Sequence, residues 1–426
     1  MSAEILTIGD EVLRGEIVDS NKSFLSDRLL SLDIETRFHS SVRDDPEDMA
    51  EAFRRAAGRS EIVLVSGGLG PTRDDLTIEI LARTFGRELV LHEPSLEAIR
   101  AFFERFGRTM AKSNEKQAWL PAGAEALANP VGTAPGTLLR EGGTSFFCLP
   151  GVPRELHQMM NEQVLPRLAT ARPGARVVRS RFLRTFGLGE SNLEELLGDV
   201  AKDGDVVLGF RTAFPDNHLR PLTRADTAEA ADAKLEKVVA TLRERLGVMI
   251  YGEGDETLEE VVGAMLAQAG RTLTVAESCT GGLLAERITR VAGSSAYFLG
   301  GVVSYANAAK TALLGVPEDV LAQHGAVSEP VACAMAAGVR ARLGADIGVA
   351  TTGIAGPDGG SPDKPVGTIW IAVADAERTR AERFVFPFDR ERNRQVTAHV
   401  ALDWIRRSLL GEELIAPRYL RKDGGN

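Results

Sequence analysis

Two short stretches of this chain carry side chains able to do chemistry. The first is AESCTGG, residues 276–282, where Ser278 and Cys279 stand between an apolar run and the small residues Thr280, Gly281 and Gly282. A nucleophile at a strand-to-helix corner is open to substrate, and backbone N–H groups there can hold a phosphate or an oxyanion. Tight strand–helix packing is the plainer reason for the two glycines. Serine needs a base, and the nearest candidate histidine, His324, sits in a Gln-His-Gly turn that reads as solvated. Lys310 opens a helix after the next apolar run. If the two runs are neighbouring strands, Lys310 reaches Ser278, and a desolvated amine there can take its proton. Spacing alone leaves a surface lysine equally readable. Cys279 is the rival nucleophile, with a small buried residue as its simpler role. A second glycine-rich loop, TTGIAGPDGG (351–360), ends another strand and suits a phosphate or ribose. Arg390, Arg392 and Arg394 beside the last helix could bind a phosphate, or simply face solvent.

The second stretch is GGLGPTRDD, residues 67–75. Gly67, Gly68 and Gly70, with Pro71, let backbone N–H groups approach a phosphate closely, and a helix expected from about Thr72 favours negative charge. Thr72 can cap that helix or hold the anion. Asp74 and Asp75 would then lie in its first turn, where they complement the helix dipole or hold a divalent metal such as Mg²⁺ beside the phosphate. Gly9, Asp10 and Glu11 end the first strand and can add metal ligands or a base for water. The spacing is neither GxGxxG nor GxxxxGK[ST].

Both stretches need strand ends to position them. Ala3–Ile8, Ile34–Val42 and Glu61–Ser66 alternate with helical patterns at Asn21–Leu32 and Pro46–Ala57, which predicts a doubly wound parallel sheet with its ligand at the strand carboxyl ends. From 172 to 252 the order is β-α-β-β-α-β, a small split βαβ unit without a catalytic constellation. From 253 to 415 strands and helices alternate again. The expected fold class is α/β: two three-layer domains with mainly parallel sheets, residues 1–171 and 253–415, joined by a small α+β domain at 172–252, with a tail at 416–426. Arg172-Pro173-Gly174 reads as a linker. A homodimer is expected, because the short middle sheet leaves an edge that needs covering.

Composition limits the partners. The 426 residues carry 50 Lys and Arg against 60 Asp and Glu, a formal charge of −10, without a basic face for DNA or RNA. Three cysteines with no CxxC pair exclude a disulfide scaffold and a cysteine zinc site. No signal peptide or 18-residue apolar window is visible, so a cytoplasmic protein with no membrane partner is the expectation.

The stretches IGDEVLRGEIVDSN (8–21), VSGGLGPTRDDLT (65–77), SNEKQA (113–118), NPVGTAPG (129–136) and LPGVPREL (149–156) resemble the molybdopterin-binding domain of molybdenum-cofactor biosynthesis proteins. More closely, they resemble the N-terminal domain of the competence/damage-inducible protein A (CinA) family. TVAESCTGGLLA (274–285), GGVVSYANAAKTALLGV (300–316), TGIAGPDGG (352–360) and KPVGTIWIAV (364–373) resemble the CinA C-terminal domain, which is similar to nicotinamide mononucleotide deamidases. The resemblance implies two hydrolases. One is a metal-dependent ADP-ribose pyrophosphatase using Asp74 and Asp75, with Asp10, Glu11 and Asp74 as metal ligands and Gly9, Asn21 and the 67–72 loop on substrate. The other is an amidase that needs no cofactor, with Ser278 as nucleophile and Lys310 as base. Thr280, Tyr305 and the 353–356 loop (Gly353, Ala355, Gly356) become its substrate contacts, and Arg390 and Arg394 its phosphate contacts. Asp19 stands where family members often carry Asn, and Phe388 where they carry Gly. The rival readings are a non-enzymatic regulatory protein for DNA uptake or repair, and a molybdopterin-binding protein.

Overall fold

The computed structural model describes residues 1–172, 174–201 and 204–414. Pro173 of the expected linker and the tail at 416–426 lie outside the described residues. The chain forms two compact units: residues 1–179 with Arg224–Asp232, and Ser180–Thr223 with the chain from Ala233 onward.

In the first unit a six-stranded sheet runs in the order Glu35–Val42, Ser2–Ile8, Ile62–Ser66, Thr144–Leu149, Gly136–Glu141, Glu125–Leu127. The first four strands are parallel and the last two antiparallel. Ile62–Ser66 is buried at every position, as expected of a strand covered on both faces. Separate apolar clusters lie over the two faces, one around Phe53 and Phe146, the other around Leu25 and Phe147. Helix Pro46–Ala57 starts as the sequence predicts, with Asp45 accepting from the N–H groups of Glu47 and Asp48. The order reverses between Ser2–Ile8 and Ile62–Ser66, so a crevice opens at their carboxyl ends.

In the second unit the strands Val206–Ala213, Asp216–Ala225, Leu183–Thr185 and Ile250–Glu253 lie side by side in that order, all antiparallel. This is the strand order of a split βαβ unit. It does not stand apart from the C-terminal sheet layer: Phe186 and Tyr251 enter the same apolar core as Trp404 and Phe384 of that layer. The layer has five strands, ordered Phe298–Val303, Leu273–Glu277, Ile347–Gly353, Thr368–Ala374, Thr379–Val385, the first three parallel and the rest antiparallel. Helices Leu258–Ala269, Leu283–Arg290 and Arg390–Leu410 contribute to the core on one face, and Glu329–Leu343 covers the other. Among the described residues no helix is long and apolar enough to cross a membrane.

Candidate active sites

The C-terminal site begins with strand pairing. Leu273–Glu277 and Phe298–Val303 are adjacent and parallel, with Glu277 opposite Val303, so the segments beyond them leave the sheet side by side. One carries Ser278, the other Lys310. Ser278 is fixed by its N–H, which donates to Thr351 O at 2.9 Å. Lys310 is 1% exposed, and its Nζ lies 3.0 Å from Ser278 Oγ, 2.7 Å from Ser304 O and 3.3 Å from Tyr305 O. Burial holds its ammonium below the usual lysine range. Once deprotonated, the amine would keep two hydrogens for the two carbonyls and turn its lone pair to the Ser278 hydroxyl. The two groups open onto a cavity of about 280 Å³. Cys279 also lines the cavity, but its thiol belongs to the core cluster and is pushed up to about 12 by desolvation, while the Lys310 amine is hydrogen-bonded to Ser278 Oγ.

Of the expected contacts, Tyr305, Gly353, Ala355, Gly356 and Arg390 line this cavity. Arg390 begins the last helix, Arg390–Leu410, which Asp389 caps by accepting from the Arg392 N–H. Its guanidinium donates to Gly356 O at 2.7 Å and to the Tyr305 hydroxyl at 3.0 Å, at the cavity wall. Thr280, Gly281, Gly282 and Arg394 are not in the lining. Thr280 is fully buried, with its hydroxyl 2.7 Å from that of Thr351. Arg394 donates to Thr280 O at 2.9 Å, tying the last helix to the corner.

The helix expected to offer free N–H groups to a phosphate has none to spare at its start. Glu277 is fully buried, and its carboxylate accepts from the N–H groups of Gly282 (2.9 Å), Leu284 (3.1 Å) and Ala285 (2.8 Å). A carboxylate from the preceding strand thus caps the helix and complements its dipole. Glu277→Ala leaves three N–H groups without their acceptor and is expected to lower the unfolding free energy by about 3 kcal/mol, measured by urea denaturation. The sequence pattern also gave no sign of Asn393. It is fully buried and donates to Ala355 O at 3.0 Å and Phe388 O at 2.9 Å, which sets the height of the 353–356 loop. Phe388 packs against Phe214 at 4.9 Å between ring centroids.

The N-terminal site is a cavity of about 500 Å³ at the carboxyl ends of the parallel strands. Gly9, Glu11, Asn21, Gly67, Gly68, Gly70, Pro71, Asp74 and Asp75 all line it. Gly67 has φ +108°, and a Cβ there would lie 2.2 Å from Ile8 O, so only glycine lets the two strand ends meet. Asn21 donates to Gly151 O at 2.8 Å and Ser66 Oγ at 3.0 Å, while its buried Oδ1 has no partner among the described residues. The helix after the loop starts at Thr77, not near Thr72, because the Thr77 hydroxyl and N–H are bonded to the Gly67 and Gly68 carbonyls. Asp74 and Asp75 therefore sit in the loop ahead of the helix. The Thr72 hydroxyl lies within hydrogen-bond reach of both carboxylates and shares its one proton between them, and Asp75 also accepts from the Thr72 N–H at 2.9 Å. That bonding to Thr72 holds the Asp74 carboxyl below the usual carboxylate range.

Asp10 is outside the lining and is engaged by Arg14 (2.5 Å) and Arg43 (3.5 Å). Asp44 lines the cavity as well. Burial raises its carboxyl first, and the neighbouring Glu11, Asp10 and Asp74 raise it further. Negative charge crowded against a cavity, carried only by hard oxygen donors, suits a divalent cation. Among the described residues no three acidic, His or Cys side chains converge as a ready cage. Mg²⁺ does not need one, since it is usually held by one or two carboxylates, waters and substrate phosphates.

These two sites bear on comparisons with other proteins. Residues 4–170 match a model described as a probable molybdopterin binding domain, 180–252 a damage-inducible protein CinA KH domain, and 255–409 the CinA C-terminal domain. A CinA-like protein of Citrifermentans bemidjiense is 45% identical over 411 residues, spanning 96% of this chain and 98% of the relative. The chain belongs to the CinA family. Another CinA-like protein, from Anaeromyxobacter sp., is 46% identical over 413 residues, 96% of this chain and 99% of its own. A solved CinA protein of Thermoplasma acidophilum is 35% identical, covers 38% of this chain and 97% of its own length, and has a TM-score of 0.36. Within the CinA family the three matched segments run in the same order as the N-terminal site, the middle sheet and the C-terminal site.

Proposed function

We propose that this CinA-family chain is a bifunctional hydrolase of pyridine-nucleotide salvage. Its C-terminal site hydrolyses the carboxamide of nicotinamide mononucleotide to nicotinic acid mononucleotide and ammonia. Its N-terminal site hydrolyses ADP-ribose to AMP and ribose 5-phosphate with a divalent metal. The observation that carries the first activity is the buried Lys310 amine 3.0 Å from Ser278 Oγ on a cavity wall. In that reaction Ser278 Oγ attacks the carboxamide carbon while Lys310 accepts its proton. Lys310 returns the proton to the departing nitrogen, the C–N bond breaks, and ammonia leaves. Water, deprotonated by the same amine, then cleaves the acyl ester and releases the acid and Ser278.

Arg390 at the cavity wall is the proposed phosphate contact. Arg390→Ala is expected to raise KM for nicotinamide mononucleotide about 10- to 100-fold, the worth of a charge-assisted hydrogen bond. Steady-state kinetics on the variant checks this.

For the second activity, Glu11 and Asp74 are the proposed metal ligands, with Asp44 beside them. The metal, when bound, offsets the charge of the pyrophosphate. The Gly67–Gly70 loop would seat the phosphates, and Asp74 and Asp75 would orient and deprotonate the attacking water. The match to a probable molybdopterin binding domain supports a second reading of this unit, as a pterin binder. A product assay on both nucleotides with purified protein separates them: no AMP release together with tight pterin binding favours the second reading. The same assay tests the amidase through ammonia.

A further inference from the structure

The segment Lys112–Pro121 carries the SNEKQA motif, yet neither proposed reaction uses it. Its fold explains the motif. Lys112–Ala118 forms a 3-10 helix, and Trp119–Pro121 pairs antiparallel with Leu89–Leu91. Gln117 is buried, donates to Leu69 O at 3.1 Å and accepts from the Asn114 side chain at 3.1 Å. Lys116 Nζ donates to Thr72 O at 2.8 Å. The segment thus braces the outer side of the glycine-rich loop whose inner side faces the N-terminal cavity.

Between the brace and the loop lies a second cavity of about 350 Å³. Gly68, Leu69, Gly70, Asp75 and Gln117 line both cavities, so the two are halves of one groove passing the loop. The second half adds Trp119, Lys112 and Lys116, together with the carboxylates Glu79 and Glu115 and the apolar Ile78, Leu89 and Pro135. Trp119 is 42% exposed and lines this cavity from a strand paired with Leu89–Leu91. An indole face beside a phosphate-sized glycine loop, flanked by two ammonium groups, is the chemistry that binds a base next to a phosphate. A further groove beside Phe102 shares only Thr133 with the catalytic cavity and offers no such continuity.

We propose that this half-groove is a nucleobase subsite, with Trp119 as the stacking face, Lys112 and Lys116 toward the adjoining phosphate, and the pyrophosphate on the Gly67–Gly70 loop. The inference rests on the proposed pyrophosphatase reading for the identity of the substrate. It makes that site selective for diphosphate esters that end in an aromatic base.

Two measurements on the full-length protein test it. AMP titrated into the wild type should quench part of its tryptophan fluorescence saturably. In Trp119→Phe, where Trp370 and Trp404 remain, that quenching should vanish. Ribose 5-phosphate should quench neither. In the second measurement, Trp119→Ala should raise KM for ADP-ribose at least about fivefold, and Trp119→Phe, which keeps a ring to stack on, should recover most of the loss. No quenching in the wild type, or quenching unchanged in Trp119→Phe, overturns the subsite. So does ADP-ribose hydrolysis with the same KM in wild type and Trp119→Ala. Saturable quenching lost in Trp119→Phe, without any ADP-ribose hydrolysis, keeps the subsite and overturns the pyrophosphatase reading instead.

Discussion

Ser278→Ala is expected to reduce ammonia release from nicotinamide mononucleotide by about 10³-fold or more, with circular dichroism and the unfolding midpoint unchanged. Removing the nucleophile of a coupled pair removes the covalent route, leaving only what binding and the remaining donors contribute. Lys310→Met, close in length and apolar, should cost as much, because an unassisted hydroxyl is a weak nucleophile. The double variant should be no slower than either single one, since the two groups act as a unit. Cys279→Ala should retain activity, its thiol being protonated and part of the core. Ammonia release that survives Ser278→Ala and disappears in Cys279→Ala would sink the Ser–Lys assignment.

The pH profile gives this prediction a sign. Lys310 works as a base only when it has lost its proton, and burial moves that loss below the usual lysine range. The rate constant kcat/KM should therefore rise about tenfold per pH unit while the ammonium dominates, then level off once the amine is neutral. The rise belongs to the free enzyme and should be absent from the residual activity of Lys310→Met.

How much of this was legible beforehand depends on what each residue bonds to. The Ser278–Lys310 pair could be read as soon as two apolar runs were taken as neighbouring strands, and Ala276 does stand opposite Val302 and Glu277 opposite Val303. The helix start at Pro46 was legible because its cap, Asp45, is local in sequence. The helix start at Thr77 was not, because its partners are carbonyls of Gly67 and Gly68, ten and nine residues back, and Asp-rich sequence imitates a first turn. Strand Thr379–Val385 was missed since TRAERFV, at the sheet edge, lacks the apolar run of a central strand. In the C-terminal site the sequence pattern did not show what the corner residues bond to. Glu277 looked like the last residue of a strand, yet its carboxylate accepts from the N–H groups of Gly282, Leu284 and Ala285 at the helix start, and the Gly281 N–H goes to Ser278 O. Arg394 and Asn393 differ by one position on the same helix, but one is bonded to Thr280 O and the other shapes the cavity loop. Periodicity cannot tell such neighbours apart, because the choice is made by which distant carbonyl each meets.

Metal removal should divide the two activities. With a chelator present, AMP release from ADP-ribose is expected to fall to background while ammonia release continues, because the proposed amide chemistry uses only Ser278 and Lys310. Re-adding Mg²⁺ should restore the first. Asp74→Ala and Asp75→Ala should each lower AMP release by about 10²-fold or more, the scale of lost general base catalysis. The two effects have different structural routes. Asp75 holds the loop through the Thr72 N–H, so its loss also loosens the glycine turn, whereas Asp74 is exposed and bonded to the Thr72 hydroxyl. Raising the Mg²⁺ concentration should therefore rescue Asp74→Ala in part, as expected of a weakened ligand, and leave Asp75→Ala unrescued. Thr72→Val separates these routes further, because it removes the shared hydroxyl yet keeps both carboxylates and the backbone donor. AMP release that is indifferent to chelator, or unaffected by either aspartate, would remove the metal-assisted mechanism while leaving the amidase untouched, since the two sites lie in different compact units.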